Sequence, residues 1–299
     1  MTELQSFGDW MVGVQSTMEH ALASFLPSPA ETPARLHEAM RYAVLDGGKR
    51  VRPLLVFAAG DLFDADAATL ARAAAAVEMV HAYSLVHDDM PCMDDDELRR
   101  GKPTVHVKYD EATALLVGDA LQSQAFLVLS EGGRHEDAAR TVAMLRLLAY
   151  ASGSVGMCGG QAIDLASVGL DLSLRELEQM HRLKTGALLR ASVLLGALAG
   201  KTLGQDETAA LDAYASAVGL AFQVVDDVLD ATADSATLGK TAGKDAADNK
   251  PTYVSILGLE QSKALAEQLR IDAHKALMPF GEKARRLREI ADLIVQRKA

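Results

Sequence analysis

The stretch ETAALDAYASAVGLAFQVVDDVLDA, residues 207–231, repeats apolar side chains at intervals of three and four rather than two. That spacing predicts a helix, because one helical turn takes 3.6 residues. Further segments with the same spacing lie at 66–90, 112–130, 135–152 and 174–199. No alternating β-branched or aromatic run bounded by hairpin turns competes with them. The sequence therefore predicts an all-α fold.

Composition limits the classes of function. The chain has 299 residues, 49% of them apolar, and a formal charge of -11. These values predict a large core and argue against nonspecific binding to nucleic acid or anionic lipid. The breaks between helical segments carry Gly, Pro or polar residues and no long linker, so we expect a single domain over 1–299.

Cysteine content and hydropathy indicate a cellular location. Neither Cys92 nor Cys158 belongs to a C-x-x-C pair, which favours a reducing cytoplasm over a disulfide framework. The first 20 residues lack the basic and apolar regions of a signal peptide. Arg190 interrupts the most apolar later run, LLRASVLLGALAG. We therefore expect a cytoplasmic protein with no membrane and no nucleic-acid partner.

One acidic cluster lies near the end of the opening stretch. Asp226 and Asp230 stand four residues apart, so a helix places them on one face, with Asp227 beside them. An acidic cluster is ordinarily a solvated surface, but this helix is apolar on nearly every other side and is expected to be buried. Buried carboxylates need cations, hydrogen bonds or an aqueous cavity.

A related acidic cluster lies in SLVHDDMPCMDDDELRRGKPT, residues 84–104. Pro91 disfavours helical geometry in the residue before it, so the helix carrying Asp88 and Asp89 should end there, and the chain can bend Asp94 back toward them. Oxygen clusters without histidine or thiolate spacing favour a hard cation, and Mg²⁺ typically takes one or two carboxylates plus substrate phosphates. The two clusters predict acidic walls that clamp a diphosphate through metal ions.

Basic residues gather beside glycines, although the protein as a whole is acidic. The strings are GGKRVR (47–52), RRGK (99–102), KTG (184–186) and the region 239–250. Glycine lets backbone approach an anion closely, and Arg or Lys supplies charge-assisted donors. Each string alone could be an ordinary loop or helix end, but four strings beside two aspartate clusters predict direct contacts to phosphate.

Taken together, these motifs resemble the trans-isoprenyl diphosphate synthases over roughly residues 35 to 257. The motifs, in the family's order, are GGKRVRP (47–53), HAYSLVHDDMPCMDDDELRRGKPT (81–104), GDALQSQAF (118–126), KTG (184–186), FQVVDDVLD (222–230) and a GK…GKD…K…TY pattern (239–253). The DDxxxxD spacing of the first motif is similar to that of the bacterial farnesyl diphosphate synthases. The resemblance implies a bundle of about ten or more helices around a deep central cavity, and a homodimer.

The resemblance also implies the ligands of each substrate. For Mg²⁺ bound to an allylic diphosphate it implies Asp88, Asp89, Asp94, Asp226, Asp227 and Asp230. For direct contact to that diphosphate it implies Arg99, Lys184, Lys240 and Lys250, while the extra Lys244 leaves open which nearby lysine reaches phosphate. For isopentenyl diphosphate, bound without metal, it implies Gly48, Lys49, Arg52, His81 and Arg100, under a C-terminus that offers Arg297 and Lys298.

The reaction implied is the transfer of a prenyl group from dimethylallyl or geranyl diphosphate to isopentenyl diphosphate. Bound Mg²⁺ and basic residues would stabilise the negative charge that develops on the departing diphosphate. The Lys184 carbonyl, the Thr185 hydroxyl and the Gln223 amide oxygen would face the carbocation that remains. The residues expected to take part in the chemistry are Asp88, Asp89, Arg99, Lys184, Thr185, Gln223, Asp226, Asp227 and Lys240.

Product length is a further expectation. Tyr83 lies five residues before Asp88, roughly 7.5 Å down a helix at 1.5 Å per residue. In the family a bulky aromatic residue at this position resembles a floor that stops the chain at fifteen carbons. We expect Tyr83, with the adjacent Ser84, to play this part. A packed core tyrosine is the alternative, which leaves geranyl and geranylgeranyl products open.

Three other interpretations compete with this one. His81, His87 and Asp88 could begin the site of an HD-type metal phosphohydrolase, but the remaining histidines form no obvious ligand set and the second aspartate cluster opposes it. A class I terpene cyclase shares the aspartate clamp but has no use for an isopentenyl site. A non-catalytic synthase subunit would normally have eroded aspartates, whereas both clusters here are intact.

Overall fold

The computed structural model describes residues 5–131, 138–170, 172–232 and 251–297. Its helices are α1 (Phe7–Phe25), α2 (Ala34–Val44), α3 (Val51–Asp61), α4 (Ala67–Asp88), α5 (Val105–Lys108), α6 (Glu111–Ser130), α7 (Ala138–Ser152), α8 (Met157–Ala166), α9 (Leu174–His181), α10 (Ala187–Gly200), α11 (Gln205–Thr232), α12 (Tyr253–Leu257), α13 (Leu259–Ala276) and α14 (Arg285–Gln296). A π-helical turn spans Arg182–Gly186 and a 3₁₀ segment spans Met278–Ala284. A hairpin pairs β1 (Leu98–Arg99) with β2 (Lys102–Pro103). The predicted all-α bundle is confirmed.

The helices begin and end close to the bounds that the apolar spacing predicts, with one exception. The segment 174–199 is not one continuous α-helix, because the π-helical turn separates α9 from α10. A Cβ on Gly160 of α8 would overlap the backbone of Lys184 in that turn. A π-helical turn contains one residue more than an α-helical turn, but the apolar residues before it and after it keep their spacing of three and four. The apolar pattern of the sequence therefore does not reveal the π-helical turn.

The core is built around α4 and α10, which are buried on most sides. Residues 73–77 of α4 are fully buried, and α10 packs against α3, α4, α7 and α11. Small residues permit these close crossings: Gly196 of α10 lies directly against the backbone of Val56 in α3. A smaller hydrophobic cluster joins α9, α11, α12 and α13. The C-terminal end of α4 and the middle of α11 are thereby held in fixed positions.

By length and composition alone, four helical stretches could cross a membrane, at 111–130, 138–166, 174–200 and 205–232. In the structure each of them packs against other helices of the bundle. The absence of a membrane partner and the single domain over 1–299 both stay predictions.

Candidate active site

The first aspartate cluster lies where α4 ends. Asp88 is the last residue of α4, and Asp89 caps it. Beyond Pro91 the chain turns back, so that the Asp94 N–H donates to the Asp88 carbonyl oxygen at 2.8 Å. The predicted helix end and the return of Asp94 are therefore confirmed. The turn thereby brings the main chain of Asp94 back to that of Asp88.

The β1–β2 hairpin aims two neighbouring arginines in different directions. Its two-residue turn, Arg100 and Gly101, has positive φ at both positions, which suits the right-handed twist of a hairpin. The Arg99 guanidinium donates from Nε to both oxygens of Asp89 at 2.8 Å. The Arg100 guanidinium instead packs on the backbone of Gly48, where a Cβ would leave it no room. Arg99 thus joins the aspartate cluster, and Arg100 joins the glycine-rich loop before α3.

Electrostatics at the end of α4 favour a bound cation. Burial raises the pKa of Asp88 to about 6, and the negative charge of Asp94 adds to this while Lys184 opposes it. A carboxylate whose ionised form is destabilised in this way gains from any cation that reaches it. A cation beside Asp88 would therefore stabilise the ionised form of this carboxylate.

The π-helical turn places Lys184 and Thr185 next to this cluster. Both line a cavity that also contains Asp88. The Lys184 ammonium donates to Asp164 of α8 at 2.5 Å, a partner that the sequence reasoning missed. Asp164 could have been noticed as a charged residue inside the otherwise apolar end of α8, between Ile163 and Leu165. An ammonium shared with one carboxylate can still donate to a phosphate.

The same cavity, of about 360 Å³, runs along α4 beneath the aspartates. Tyr83 and Ser84 line it, as do apolar residues of α8 and the loop after α4. The Tyr83 hydroxyl lies 3.7 Å from the Cys158 sulfur, and its ring packs edge-on against His87. We call this space the tail cavity, defined by its lining residues Arg52, His81, Tyr83, Ser84, Leu85, His87, Asp88, Met93, Met157, Cys158, Gln161, Ala162, Leu165, Lys184 and Thr185. The half-buried Gln223, on α11, is absent from the residues that line it.

A second cavity of about 360 Å³ brings together all five residues predicted for isopentenyl diphosphate. Gly48, Lys49, Arg52, His81 and Arg100 line it, with Arg50, Val51, Glu78, Phe222 and Arg297. We call it the basic cavity. It meets the tail cavity at Arg52 and His81, which line both.

Cationic side chains outnumber the single carboxylate, Glu78, among the described residues that line the basic cavity. Burial lowers the pKa of Arg52 to about 10, with Arg100 adding to this, and its buried Nε has no hydrogen-bond partner within the described ranges. Burial and the neighbouring arginines hold the pKa of His81 well below its ordinary value, so the imidazole is neutral at physiological pH. An excess of cationic side chains around a hollow, with the Arg52 Nε buried and without a hydrogen-bond partner in the described part of the chain, is the arrangement expected for an anion site.

The second aspartate cluster has partners from distant parts of the chain. Arg297, just beyond α14, donates to the Asp226 carboxylate at 2.5 Å and stacks on Phe222 with its guanidinium 4.1 Å from the ring centre. The buried Asp227 accepts the Tyr253 N–H at 2.7 Å and so caps α12. Arg297 therefore lines the basic cavity, as expected, but its ion pair is with an aspartate.

Several expected ligands lie outside the described residues: Lys240, Lys244, Lys250 and Lys298. Among the described residues, no three or more His, Cys, Asp or Glu side chains are grouped closely enough to hold a metal ion by themselves. The structure therefore does not group all three carboxylates of either predicted set, that of Asp94 or that of Asp226, closely enough to hold a metal. Mg²⁺ usually binds through one or two carboxylates and substrate phosphates. The donors at the end of α4 are carboxylates, which fit that ion.

The polyprenyl synthetase family model matches residues 33–280. The chain belongs to the polyprenyl synthetase family. The farnesyl diphosphate synthase of Escherichia coli is 51% identical over 87% of this chain and 88% of its own length. A solved apo structure of an FPP/GFPP synthase from Zymomonas mobilis covers 97% of this chain and 98% of its own, with a TM-score of 0.88 and 44% identity. A geranyltransferase from Helicobacter pylori, solved with magnesium and isoprenyl diphosphate, covers 98% of both chains, with a TM-score of 0.83 and 32% identity.

Membership of this family confirms the resemblance drawn from the motifs. This polyprenyl synthetase is therefore an enzyme that transfers prenyl groups, and it acts on isoprenyl diphosphates. The phosphohydrolase and non-catalytic interpretations are wrong.

Proposed function

We propose that this polyprenyl synthetase is a farnesyl diphosphate synthase, which condenses isopentenyl diphosphate with dimethylallyl and then geranyl diphosphate. The observation that carries the proposal is the junction of two cavities at Arg52 and His81. The basic cavity has the cations that a metal-free diphosphate needs. The tail cavity is lined by the Asp88 carboxylate and by apolar side chains, as an allylic diphosphate with a prenyl tail requires.

Mg²⁺ is the proposed cofactor, in line with the magnesium in the related geranyltransferase. Asp88, Asp89 and Asp94 would hold it on one side, and Asp226, Asp227 and Asp230 on the other. When bound, it would neutralise charge on the allylic diphosphate and so favour its departure. Asp89 would share its oxygens between the metal and Arg99, and Asp226 would exchange Arg297 for the metal.

The side chains of this chain divide the remaining work. Arg99 and Lys184 would hold oxygens of the allylic diphosphate, which takes the electron pair of the breaking C–O bond. The carbonyl of Lys184 and the hydroxyl of Thr185, at the top of the tail cavity, would face the carbocation. Apolar walls keep water from quenching it. The alkene of isopentenyl diphosphate then forms the new C–C bond, and the released diphosphate accepts the proton.

The farnesyl product rests on the depth of the tail cavity. Tyr83 lies on α4 below Asp88 and, with Ser84, lines the path of a growing tail. A ring at that depth leaves room for the ten-carbon geranyl tail, which is extended to farnesyl. It obstructs the fifteen-carbon farnesyl tail, which a further addition would have to bind. The 51% identity to a farnesyl diphosphate synthase supports the same product.

Assembly and location are further parts of the proposal. Large apolar side chains are exposed on α6 and α7, namely Leu115, Leu116, Leu127, Val142 and Tyr150, and a second copy of the chain would cover such surfaces in a homodimer. The two unpaired, exposed cysteines suit the reducing cytoplasm. Light scattering after size-exclusion chromatography tests the dimer, and cell fractionation tests the location.

The reaction is tested with purified protein, isopentenyl diphosphate and either dimethylallyl or geranyl diphosphate, with Mg²⁺ or with EDTA. Products are dephosphorylated, and the alcohols are identified by gas chromatography. Farnesol that forms only with Mg²⁺ supports the proposal. Geranylgeraniol as the main product would overturn the assignment of product length, and the absence of any elongated alcohol from folded protein would overturn the reaction.

A further inference from the structure

Arg50 lies between Lys49 and Arg52, two cations of the basic cavity, yet its guanidinium is directed into the protein. Only 5% of its surface is exposed. Its φ of 53° places it in the left-handed region, immediately before the first residue of α3. An L-residue other than Asn or Asp is disfavoured in this conformation by about 1–2 kcal/mol, so contacts with neighbouring residues must stabilise the backbone of Arg50. Because of this turn, the side chain of Arg50 points in a different direction from those of Lys49 and Arg52.

The guanidinium of Arg50 joins three other helices. It donates from Nη1 to Glu78 of α4 at 2.6 Å, from Nε to Glu19 of α1 at 3.0 Å, and from Nη2 to the Val44 carbonyl at the end of α2 at 2.7 Å. A planar fork with several donors can satisfy these acceptors together, which an ammonium cannot. Arg50 therefore fixes the start of α3 against α1, α2 and α4.

The loop that carries Lys49 is held by the same helix, α1. The other carboxylate oxygen of Glu19 accepts the Asp46 N–H at 3.2 Å, and the Gln15 amide donates to the Lys49 carbonyl oxygen at 3.1 Å. Glu19 is thus bound to both ends of the loop 46–50, at Asp46 and at Arg50. It does not line the basic cavity.

Glu78 connects this network to the cavity itself. It is a buried carboxylate on α4, between the fully buried Val77 and Met79, and it lines the basic cavity. Its charge also acts favourably on Arg52 and Arg100. Glu78 therefore stands between Arg50 on one side and the cavity cations on the other.

We propose that Arg50, fixed by Glu19 and Glu78, is a positioning residue for isopentenyl diphosphate, which sets the separation and direction of Lys49 and Arg52. The inference deepens the proposed function and rests on it. A diphosphate needs its cationic donors at fixed spacing, because each phosphate oxygen is bound by a directional, charge-assisted hydrogen bond. Arg50 contributes that spacing through its guanidinium, whose hydrogen bonds go to protein acceptors rather than into the cavity.

The test is Arg50→Lys, which keeps the charge and removes the fork. The expected result is a rise of about 10-fold in KM for isopentenyl diphosphate, as for the loss of one hydrogen bond to a charged group. The KM for geranyl diphosphate and kcat should change by less than about 2-fold, since the contacts proposed for the allylic diphosphate, Arg99 and Lys184, lie outside the Arg50 network and, of the described residues, the tail cavity shares only Arg52 and His81 with the basic cavity. Calorimetric titration with isopentenyl diphosphate in EDTA gives the same comparison without metal or turnover.

Arg41→Lys is the matched control. Arg41 also donates to main-chain carbonyls, those of Ala23 and Leu26, and so links α2 to the end of α1, but it lies outside both cavities. It should lower thermal stability without affecting either KM. Glu19→Gln is the gentler second variant should Arg50→Lys fail to fold. It should weaken isopentenyl diphosphate binding by about 2- to 5-fold, the range of a partly exposed ion pair.

The outcomes separate the two levels of the proposal. If the natural protein does not bind isopentenyl diphosphate, the proposed function fails. If it binds, and both KM values change together or neither changes in Arg50→Lys, the positioning role is refuted. If that variant does not fold, unchanged binding in Glu19→Gln refutes it instead.

Discussion

Replacing Tyr83 with alanine should lengthen the product. The Tyr83 ring lines the tail cavity below Asp88, and the phenol that alanine removes is larger than the five-carbon isoprene unit added in one further condensation. Burying five more carbons at about 0.8 kcal/mol each would favour the longer chain by about 4 kcal/mol. The discrimination against a twenty-carbon product should therefore fall by as much as roughly a thousandfold, and geranylgeranyl diphosphate should become a major product.

The assay is gas chromatography of the dephosphorylated alcohols after incubation with isopentenyl and geranyl diphosphates. Tyr83→Phe is the matched control, because it keeps the ring and removes only the hydroxyl that approaches Cys158. We expect the control to make farnesol as the natural protein does. The product ratio, rather than the rate, is the quantity to compare.

Two results would refute this reasoning. An unchanged product ratio in Tyr83→Ala would mean that the ring does not limit the tail, and that Tyr83 is a packing residue. An equal shift in Tyr83→Phe would mean that the hydroxyl and its contact with Cys158, not the volume of the ring, determine product length.

Three further variants test other parts of the site. Burial raises the pKa of Asp88 to about 6, so ionisation of this carboxyl destabilises the fold as pH rises through that value. In EDTA at pH 8, Asp88→Asn should therefore raise the free energy of unfolding by up to about 3 kcal/mol. At pH 3, where the carboxyl is protonated, the variant should gain nothing, and thermal denaturation at the two pH values measures the difference. Arg297→Gln should tighten Mn²⁺ binding by about 5-fold, because Asp226 loses the partner that competes with a metal; unchanged affinity by electron paramagnetic resonance would contradict this. Gly160→Ala should destabilise the protein by about 1–3 kcal/mol, because its Cβ meets the Lys184 backbone. Gly13→Ala, which meets nothing, is its control, and an equal melting temperature for the two variants would count against the close packing of α8.

The sequence determined the elements that depend on near neighbours. Apolar spacing predicted the helices because a helix is held by contacts three and four residues apart. Pro91 predicted the end of α4 and the return of Asp94, since its ring restricts the residue before it. The glycines before Lys49 marked a place where backbone approaches another group closely, here the Arg100 guanidinium. These inferences needed no knowledge of distant residues.

The tertiary structure alone decided which charges meet. Arg297 forms an ion pair with Asp226, which lies 71 residues away in the sequence. Arg50 is bound by Glu78 and Glu19, which lie 28 and 31 residues away. Lys184 donates to Asp164 on another helix. An ion pair depends on where two helices cross, and that crossing is set by the packing of the whole core rather than by the residues next to either charge. The sequence thus determined which charged residues are available, and the packing of the helices determined their partners.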